Sequence, residues 1–156
     1  MRSVPVIEPC ASVEQAGWLP LRRALWPEVP DAEHLAEMAK LIARPERFAQ
    51  FVAVDSPGDA VGFVEASVRN DYVNGTESSP VGFVEGLYVT PRCRRRGIAR
   101  ALVDEVARWA ALRGCHELAS DTAVDNELSQ KAHRALGFAE TERVVYFRRS
   151  LTRADK

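Results

Sequence analysis

The middle of the chain constrains the fold most, because strand-like and helix-like patterns alternate there without interruption. Residues 81–89 are an apolar run with a single charge, Glu85, and such a run predicts a buried strand. Residues 97–113 predict an amphipathic helix, and residues 116–120 predict a second, short strand. This order favours two parallel neighbouring strands that a helix connects.

The amino-terminal segments predict one strand and two helices. We expect the strand at residues 4–8. The pattern Ser12-x-x-Gln15 is typical of a capping box, and it predicts a helical stretch that ends near residue 26. Pro20 lies inside this stretch and is expected to kink or restart it. Asp31 is expected to cap a second helix, which Pro45 closes.

Further segments complete a mixed α/β sheet. Residues 48–54 and 61–68 predict a hairpin, with a turn at residues 56–59. Residues 126–136 predict a helix. Residues 144–149 are rich in β-formers and predict a last strand.

Length and charge limit the function. The 156 residues, 46% of them hydrophobic, suffice for one core, so we expect a single domain over residues 1–156. A formal net charge of -1 argues against nucleic-acid and membrane-surface partners, because these require an excess of Lys and Arg. We find no membrane-spanning run and no signal peptide in the sequence, and therefore expect a cytoplasmic protein.

The three cysteines, Cys10, Cys93 and Cys115, are scattered along the chain. They have no CxxC spacing and no histidine cluster to complete a site, so we expect no metal. Cys93 lies among arginines that would favour its thiolate. An incidental thiol is the simpler interpretation, and an acyl-carrier role for Cys93 or Cys115 is the weaker alternative.

The most distinctive motif is a basic turn, Arg94-Arg95-Arg96-Gly97-Ile98-Ala99, between the apolar strand and the long helix. A helix N-terminus has unpaired N–H groups and a partial positive charge, so it attracts phosphate. Gly97 and Ala99 allow a phosphate to approach the backbone, and the arginines add full charges. The turn is a candidate anion cradle, although isolated motifs of this kind also occur as solvated basic turns.

In this context the motif resembles the acetyl-CoA pyrophosphate loop of the GNAT superfamily of N-acetyltransferases. The pattern of that loop is Arg or Gln, two residues, Gly, one residue, then Gly or Ala. Asn126, followed by a helix ending at Leu136-Gly137-Phe138, is similar to the second cofactor motif of the family. The resemblance implies the GNAT acyl-CoA N-acyltransferase fold, with a splayed central sheet flanked by helices. It also implies contacts between acetyl-CoA and Leu87, Tyr88, Val89, Arg95, Arg96, Gly97, Ile98, Ala99, Arg100 and Asn126.

The predicted parallel strands fit this cofactor mechanically. If they splay apart, they open a slot for the extended pantetheine chain. Backbone groups around residues 87–89 could then bond that chain as a neighbouring strand does. The N–H group near Leu87 could also polarise the thioester carbonyl.

The distribution of charge predicts a cationic substrate. Between Arg69 and Arg92 the chain has no Lys or Arg, although Asp71, Glu77 and Glu85 lie there. Asp71 and Glu77 also fit a solvated acidic loop. A carboxylate in the middle of an apolar strand, as at Glu85, is costly to bury without a partner or a function.

Asp121 is a second candidate carboxylate. It follows a strand, at the position where α/β sheets collect functional groups. The alternative interpretation is a helix-capping residue, because Asp also favours loop starts.

Six short segments, in order over most of the chain, resemble the aminoglycoside 6′-N-acetyltransferases. They are Leu25-Trp26-Pro27, Asp71-Tyr72-Val73-Asn74-Gly75, Ser78-Ser79-Pro80-Val81, Val84-Glu85-Gly86, Ala119-Ser120-Asp121-Thr122 and Thr141-Glu142-Arg143-Val144. The resemblance implies acetyl transfer to the 6′-amine of an aminoglycoside antibiotic, antibiotic resistance and a homodimer. It also implies that the substrate contacts Trp26, Tyr72, Glu85, Asp121 and Glu142.

The sequence departs from the family pattern at two positions. Val29 stands where some relatives have a polar residue near the substrate. His133 stands where many acetyltransferases of this fold have the tyrosine that protonates the departing thiolate. His133, Tyr146 or solvent are the alternatives for this proton donor.

These residues lead to a mechanistic hypothesis. An alkyl amine must lose a proton before it attacks a thioester, at a cost on the order of 4 kcal/mol near neutral pH. We expect Glu85 to act as general base through a water molecule, and Asp121 to orient the amine or share the task. Direct attack in a ternary complex needs no covalent enzyme intermediate. The alternatives are acetylation of a peptide, lysine or polyamine, and a module that only binds acetyl-CoA or antibiotic.

Overall fold

The structure, a computed structural model, describes residues 4–55 and 58–152. These residues form one five-stranded sheet with the strand order β1-β2-β3-β4-β5. The strands are β1 Val6–Pro9, β2 Phe48–Val54, β3 Ala60–Arg69, β4 Val81–Val89 and β5 Leu118–Ala119. The helices are α1 Trp18–Leu25, α2 Asp31–Ile42, α3 Ile98–Leu112 and α4 Glu127–Ala135, with a short 3-10 helix at Pro91–Cys93.

The sheet is mixed, as the sequence predicts. The first four strands pair antiparallel with their sequence neighbours, and β4 pairs parallel with β5 across the α3 connection. The β2–β3 hairpin is confirmed, and the Asp55 N–H donates to the Asp59 carbonyl at 2.9 Å beside its turn. Residues 56–57 of the predicted turn lie outside the described residues.

Alternating side chains of β3 face two different layers of helices. Val64 and Ala66 pack with Leu102 and Val106 of α3 in one buried cluster. Phe63 packs on the opposite face with Trp18 and Leu21 of α1, Met38 of α2 and Val52. The same face carries Glu65, Ser67 and Arg69, because side chains two residues apart share a face of a strand. This polar row therefore lies on the α1/α2 side of the sheet.

Helix starts differ from the predictions at two places. Ser12 accepts a hydrogen bond from the Glu14 N–H at 3.1 Å, but the helix begins only at Trp18, after Gly17 in a left-handed conformation (φ 86°). Pro20 then lies in the first turn of α1, where a missing N–H is harmless, so the predicted kink or restart at Pro20 is wrong because no helix precedes Trp18 among the described residues. Asp31 is the first residue of α2 rather than its cap, which is Pro30.

The carboxyl-terminal part is the clearest correction. Residues 139–150 form no strand within the described residues, so the predicted strand at residues 144–149 is wrong. Strand propensity is realised only where a neighbouring strand accepts the backbone hydrogen bonds. The short second strand is real but reduced to Leu118–Ala119.

No helix within residues 4–55 and 58–152 is long and apolar enough to cross a membrane.

Candidate active site

The basic turn forms a concave backbone surface at the start of α3. Arg95 (φ 64°) and Gly97 (φ 79°) are both left-handed, and Gly97 is the N-cap of α3 without a side-chain hydrogen bond to it. Among the described residues, the Arg95, Arg96 and Gly97 amides donate to no backbone carbonyl. Nothing lies within 4 Å of the position that a Cβ on Gly97 would take. These open amides, with the positive end of α3, fit a phosphate group.

The side chains around this turn contribute to different degrees. Arg95 and Arg96 are exposed, whereas Ile98 is buried in the α3 core and can offer only its backbone. Arg100 donates to the Ala135 carbonyl at the end of α4, and it therefore ties α4 to α3. Asn126 Oδ1 accepts from the Ser129 N–H at 3.1 Å and caps α4. The amide NH₂ group of Asn126 is the part left to meet a ligand.

A slot opens beside β4 because its pairing with β5 is short. Within the described residues, β5 pairs with β4 only at Gly82 and Phe83, whereas β4 continues to Val89. From Val84 onward, the β4 backbone therefore has no paired strand on its β5 side within the described residues. This confirms the splay that the sequence predicts. Leu87, Tyr88 and Val89 form the end of β4 that leads to the basic turn.

Glu85 lies at a bulge in β4. Gly86 pairs with Glu65 of β3 and Val84 pairs with Ala66, so Glu85 has no partner in the register. A bulge bends its strand and redirects one side chain. The Glu85 side chain, 36% exposed, consequently points along the polar row of β3 instead of into the core.

The Glu85 carboxylate is held by two residues of that row. It accepts a hydrogen bond from Ser67 Oγ at 2.7 Å. Arg69 Nη2 donates to both carboxylate oxygens, at 2.8 and 3.0 Å. The sequence pattern pointed to Glu85 but missed Ser67 and Arg69, whose only signal is their alternation with Glu65 along β3.

Trp26 forms a wall beside Glu85. Its indole ring lies against Gly86 and meets the Phe63 ring edge-on, with the ring centroids 6.0 Å apart. The Arg22 guanidinium lies over the indole, 4.9 Å from its centroid. The site therefore has an aromatic surface next to a carboxylate, and a cation can contact both.

A buried hydrogen-bond network of Arg22, Glu65 and Trp18 lies next to Trp26. Arg22 and Glu65 are 2% and 5% exposed, and Arg22 Nη1 donates to the Glu65 oxygens at 2.7 and 2.9 Å. Trp18 Nε1 donates to the same carboxylate at 2.8 Å. Burial raises the pKa of the Glu65 carboxyl, while Arg22 and the Trp18 N–H oppose that rise. No pattern in the sequence indicates this network.

The acidic loop and the carboxyl-terminal segment meet at Gly75. A Cβ there would lie 2.2 Å from Thr141 Oγ1 and 3.6 Å from the Glu142 Cβ. Glu142 therefore lies beside the loop that carries the exposed Tyr72. The other end of the loop is attached to the sheet, because Glu117 accepts hydrogen bonds from Ser78 Oγ and from the Glu77 N–H.

Asp121 follows β5 by two residues, beyond the end of its pairing with β4. Phe83 and Ala119 are paired in parallel, and Glu85 and Asp121 each follow two residues later. Asp121 is exposed and accepts no hydrogen bond from the described residues. Neither Asp121 nor Glu85 is part of a metal cluster, since the described residues contain no group of three metal-ligating side chains.

Comparison with known proteins agrees with this geometry. Residues 18–138 match the model of the acetyltransferase (GNAT) family. The chain belongs to the GNAT acetyltransferase family. The match includes the basic turn, β4, β5 and α4, and the mixed sheet with its splayed strands is the architecture of this family.

Relatives of this GNAT acetyltransferase carry one recurrent name. This chain is 52% identical over 134 residues to aminoglycoside N(6')-acetyltransferase type 1 of Serratia marcescens, and the match covers 86% of this chain and 91% of that protein. It is 49% identical over 132 residues to the protein of the same name from Salmonella typhimurium, covering 85% and 90%. A solved structure of AAC(6')-Iy with the bisubstrate analogue CoA-S-monomethyl-acetylneamine has a TM-score of 0.89 and 45% identity, covering 95% of this chain and 99% of that one.

His133 of this GNAT acetyltransferase is bound on both ring nitrogens. Nδ1 lies 2.7 Å from the Ser129 carbonyl, which can only accept, so Nδ1 is the donor of this hydrogen bond. Nε2 lies 2.8 Å from Ser120 Oγ. His133 therefore joins α4 to the loop just before Asp121.

Proposed function

We propose that this protein is an aminoglycoside 6′-N-acetyltransferase that uses acetyl-CoA as co-substrate. The observation that carries the proposal is the second half of β4, which has no paired strand on its β5 side within the described residues, carries Glu85 and leads to the anion cradle at the start of α3. The relatives named above support both substrates. Acetyl-CoA supplies the acetyl group as a thioester. Its phosphates would be held by the amides of residues 95–100, and its extended arm by the backbone of β4 and by Asn126.

In this proposal Glu85 removes a proton from the acceptor amine through a water molecule, and Asp121 orients the amine from the other side. The remaining ammonium groups of the substrate would contact Trp26, Tyr72 and Glu142. The amine attacks the thioester carbonyl directly in a ternary complex within one domain. The C–N bond forms, the C–S bond breaks, and coenzyme A leaves as a thiolate that takes its proton from His133, Tyr146 or solvent. The burial of Cys93 and Cys115 supports this, because a buried thiol cannot carry an acetyl group to a polar substrate. Burial also raises the pKa of the Cys115 thiol.

The deciding experiment is mass spectrometry of kanamycin after incubation with the protein and acetyl-CoA. We expect one added acetyl group, on the 6′ nitrogen. Acetylation of peptides or polyamines without kanamycin, or binding without any product, would contradict the proposal.

Variants test the assigned roles. Glu85→Gln and Asp121→Asn are each expected to lower kcat, by about a hundredfold for the residue that acts as base, while acetyl-CoA binding persists. Glu105→Gln is the matched control, because Glu105 is an ion-paired carboxylate on α3. Unchanged turnover in both site variants would remove these roles.

We also propose a homodimer and a cytoplasmic location. Apolar side chains on the carboxyl-terminal segment support the dimer, since Val145 is 77% and Phe147 is 92% exposed in the single chain. Light scattering of the wild type should give twice the chain mass, and Phe147→Asp should give the chain mass. The use of acetyl-CoA, an intracellular metabolite, supports the location, and cell fractionation tests it.

A further inference from the structure

The two oxygens of the Glu85 carboxylate are occupied unequally. Oε1 accepts from Ser67 Oγ at 2.7 Å and from Arg69 Nη2 and Nε at 2.8 and 3.2 Å. Within the described residues, Oε2 accepts only from Arg69 Nη2, at 3.0 Å. A carboxylate offers about four lone-pair positions. Oε1 is therefore filled, whereas Oε2 keeps a position open for another donor.

Arg69 is itself held in place. Its guanidinium carbon lies 3.6 Å from the centroid of the Phe83 ring, and Phe83 is buried in β4. Stacking on a fixed ring and donation through two nitrogens restrict the plane of the guanidinium. Glu85 lacks a cross-strand partner at the bulge, so Ser67 and Arg69 supply the direction that regular pairing would give its side chain.

Arg69 also changes the charge that the site presents. A polycation that approaches Glu85 meets a carboxylate already paired with a cation, and the net attraction is weaker than for a bare carboxylate. Tight binding of the ground state lowers KM without raising kcat. A residue that aims the base and weakens this attraction therefore favours turnover over affinity.

We propose that Arg69 is a positioning residue that aims Oε2 of Glu85 at the water molecule through which it acts on the acceptor amine, and that Arg69 limits the affinity of the site for polycations. This inference rests on the proposed function, in which Glu85 is the base. It assigns to Arg69 a signature that a purely structural residue lacks, namely that its removal lowers KM and kcat together.

Two substitutions separate aim from charge. Arg69→Met keeps an apolar side chain over Phe83 but removes the positive charge and the two nitrogens that bind Glu85. The lost charge is expected to lower KM for kanamycin about fivefold, and the lost positioning is expected to lower kcat about tenfold. Arg69→Lys keeps the charge but cannot donate to Glu85 through two guanidinium nitrogens, so kcat falls while KM for kanamycin stays within about twofold. KM for acetyl-CoA is expected to remain unchanged in both variants.

Arg108→Met is the matched control, because Arg108 forms an ion pair with Glu105 on α3, away from the polar row. It should leave both constants unchanged. A higher KM with unchanged kcat in Arg69→Met, or no change at all, would overturn the inference while kanamycin turnover by the wild type still supports the proposed function. If Arg69→Met has no cooperative unfolding transition, Arg69→Lys decides through kcat, and an unchanged kcat in that variant would overturn the inference. A wild type that yields no acetylated kanamycin would overturn both proposals.

Discussion

The indole ring of Trp26 lies directly on the backbone of Gly86. A Cβ built on Gly86 would lie 2.6 Å from Cη2 and 2.8 Å from Cζ2 of that ring. Gly86 has no left-handed conformation, so the ring, and not the backbone torsion, requires a glycine here. Because Gly86 follows Glu85, the same contact fixes the distance between the aromatic wall and the carboxylate.

Gly86→Ala is therefore expected to displace Trp26. We predict a loss of about 1–3 kcal/mol in the free energy of unfolding, which is the usual cost of overpacking a protein core. We also predict a higher KM for kanamycin. Urea unfolding of Gly86→Ala, Trp26→Ala and the double variant checks the cause. In the Trp26→Ala background the alanine at residue 86 should cost less than about 0.5 kcal/mol. An equal cost in both backgrounds would show that the ring is not what excludes the methyl group.

Position 86 also shows how far the sequence alone can lead. A glycine within an apolar strand indicates a bulge or a close approach, and both occur, at Glu85 and at Trp26. The predicted bounds of β2 and β4 match because β-formers there are bounded by turn residues. The ion pair of Glu85 with Arg69 spans 16 residues and depends on strand register. A charge pattern read along the chain does not contain that register.

The failed strand at residues 144–149 has a related cause. Its residues are strand formers, but within the described residues no strand lies beside them to complete hydrogen bonds. The buried Arg22–Glu65 pair was missed for the same reason, because each residue is ordinary in its own segment. Local patterns predict elements, whereas partners from distant segments decide which elements form and which charges are paired.

The cradle at the start of α3 can be tested with two matched glycines. Gly97 (φ 79°) and Gly114 (φ 82°) flank α3, and neither has an atom within 4 Å of its Cβ position. Alanine at either position should cost about 1 kcal/mol of stability through left-handed strain. Only Gly97→Ala places a methyl group in the cradle, so only this variant should raise KM for acetyl-CoA, by about tenfold. Equal KM values for the two variants would contradict the cradle.

The buried pair gives a stability prediction. Arg22→Met leaves the Glu65 carboxylate without its cation, and breaking a buried pair in this way costs about 3–5 kcal/mol. Replacing both residues, as Arg22→Met with Glu65→Leu, removes the stranded charge and should recover part of that loss, because the buried Trp18 Nε1 then lacks its acceptor. Urea unfolding measures both variants. A double variant that is less stable than Arg22→Met would show that the ion pair contributes more to stability than the burial of its two charges costs.

The attachment of the acidic loop should depend on pH through Glu117. Hydrogen bonds from Ser78 Oγ and the Glu77 N–H lower the pKa of this carboxyl below its ordinary value of 4.5. A carboxyl with a lower pKa in the folded state stabilises that state above its unfolded pKa. The contribution is lost as the pH falls through the folded value, because protonation removes the acceptor charge. Stability from this contact is therefore complete near neutral pH and absent in acid.

Glu117→Gln should consequently lower Tm at about pH 7, and the difference from the wild type should shrink as the pH falls below 4.5 through the folded pKa of Glu117. Glu28→Gln serves as the control, because Glu28 is exposed and accepts no hydrogen bond from the described residues, so its Tm should follow the wild type at every pH. A Tm difference for Glu117→Gln that persists in acid would mean that packing of the side chain, and not its charge, holds the loop. Since the loop carries Tyr72 and adjoins Glu142, KM for kanamycin should rise in Glu117→Gln at neutral pH, whereas KM for acetyl-CoA should not change.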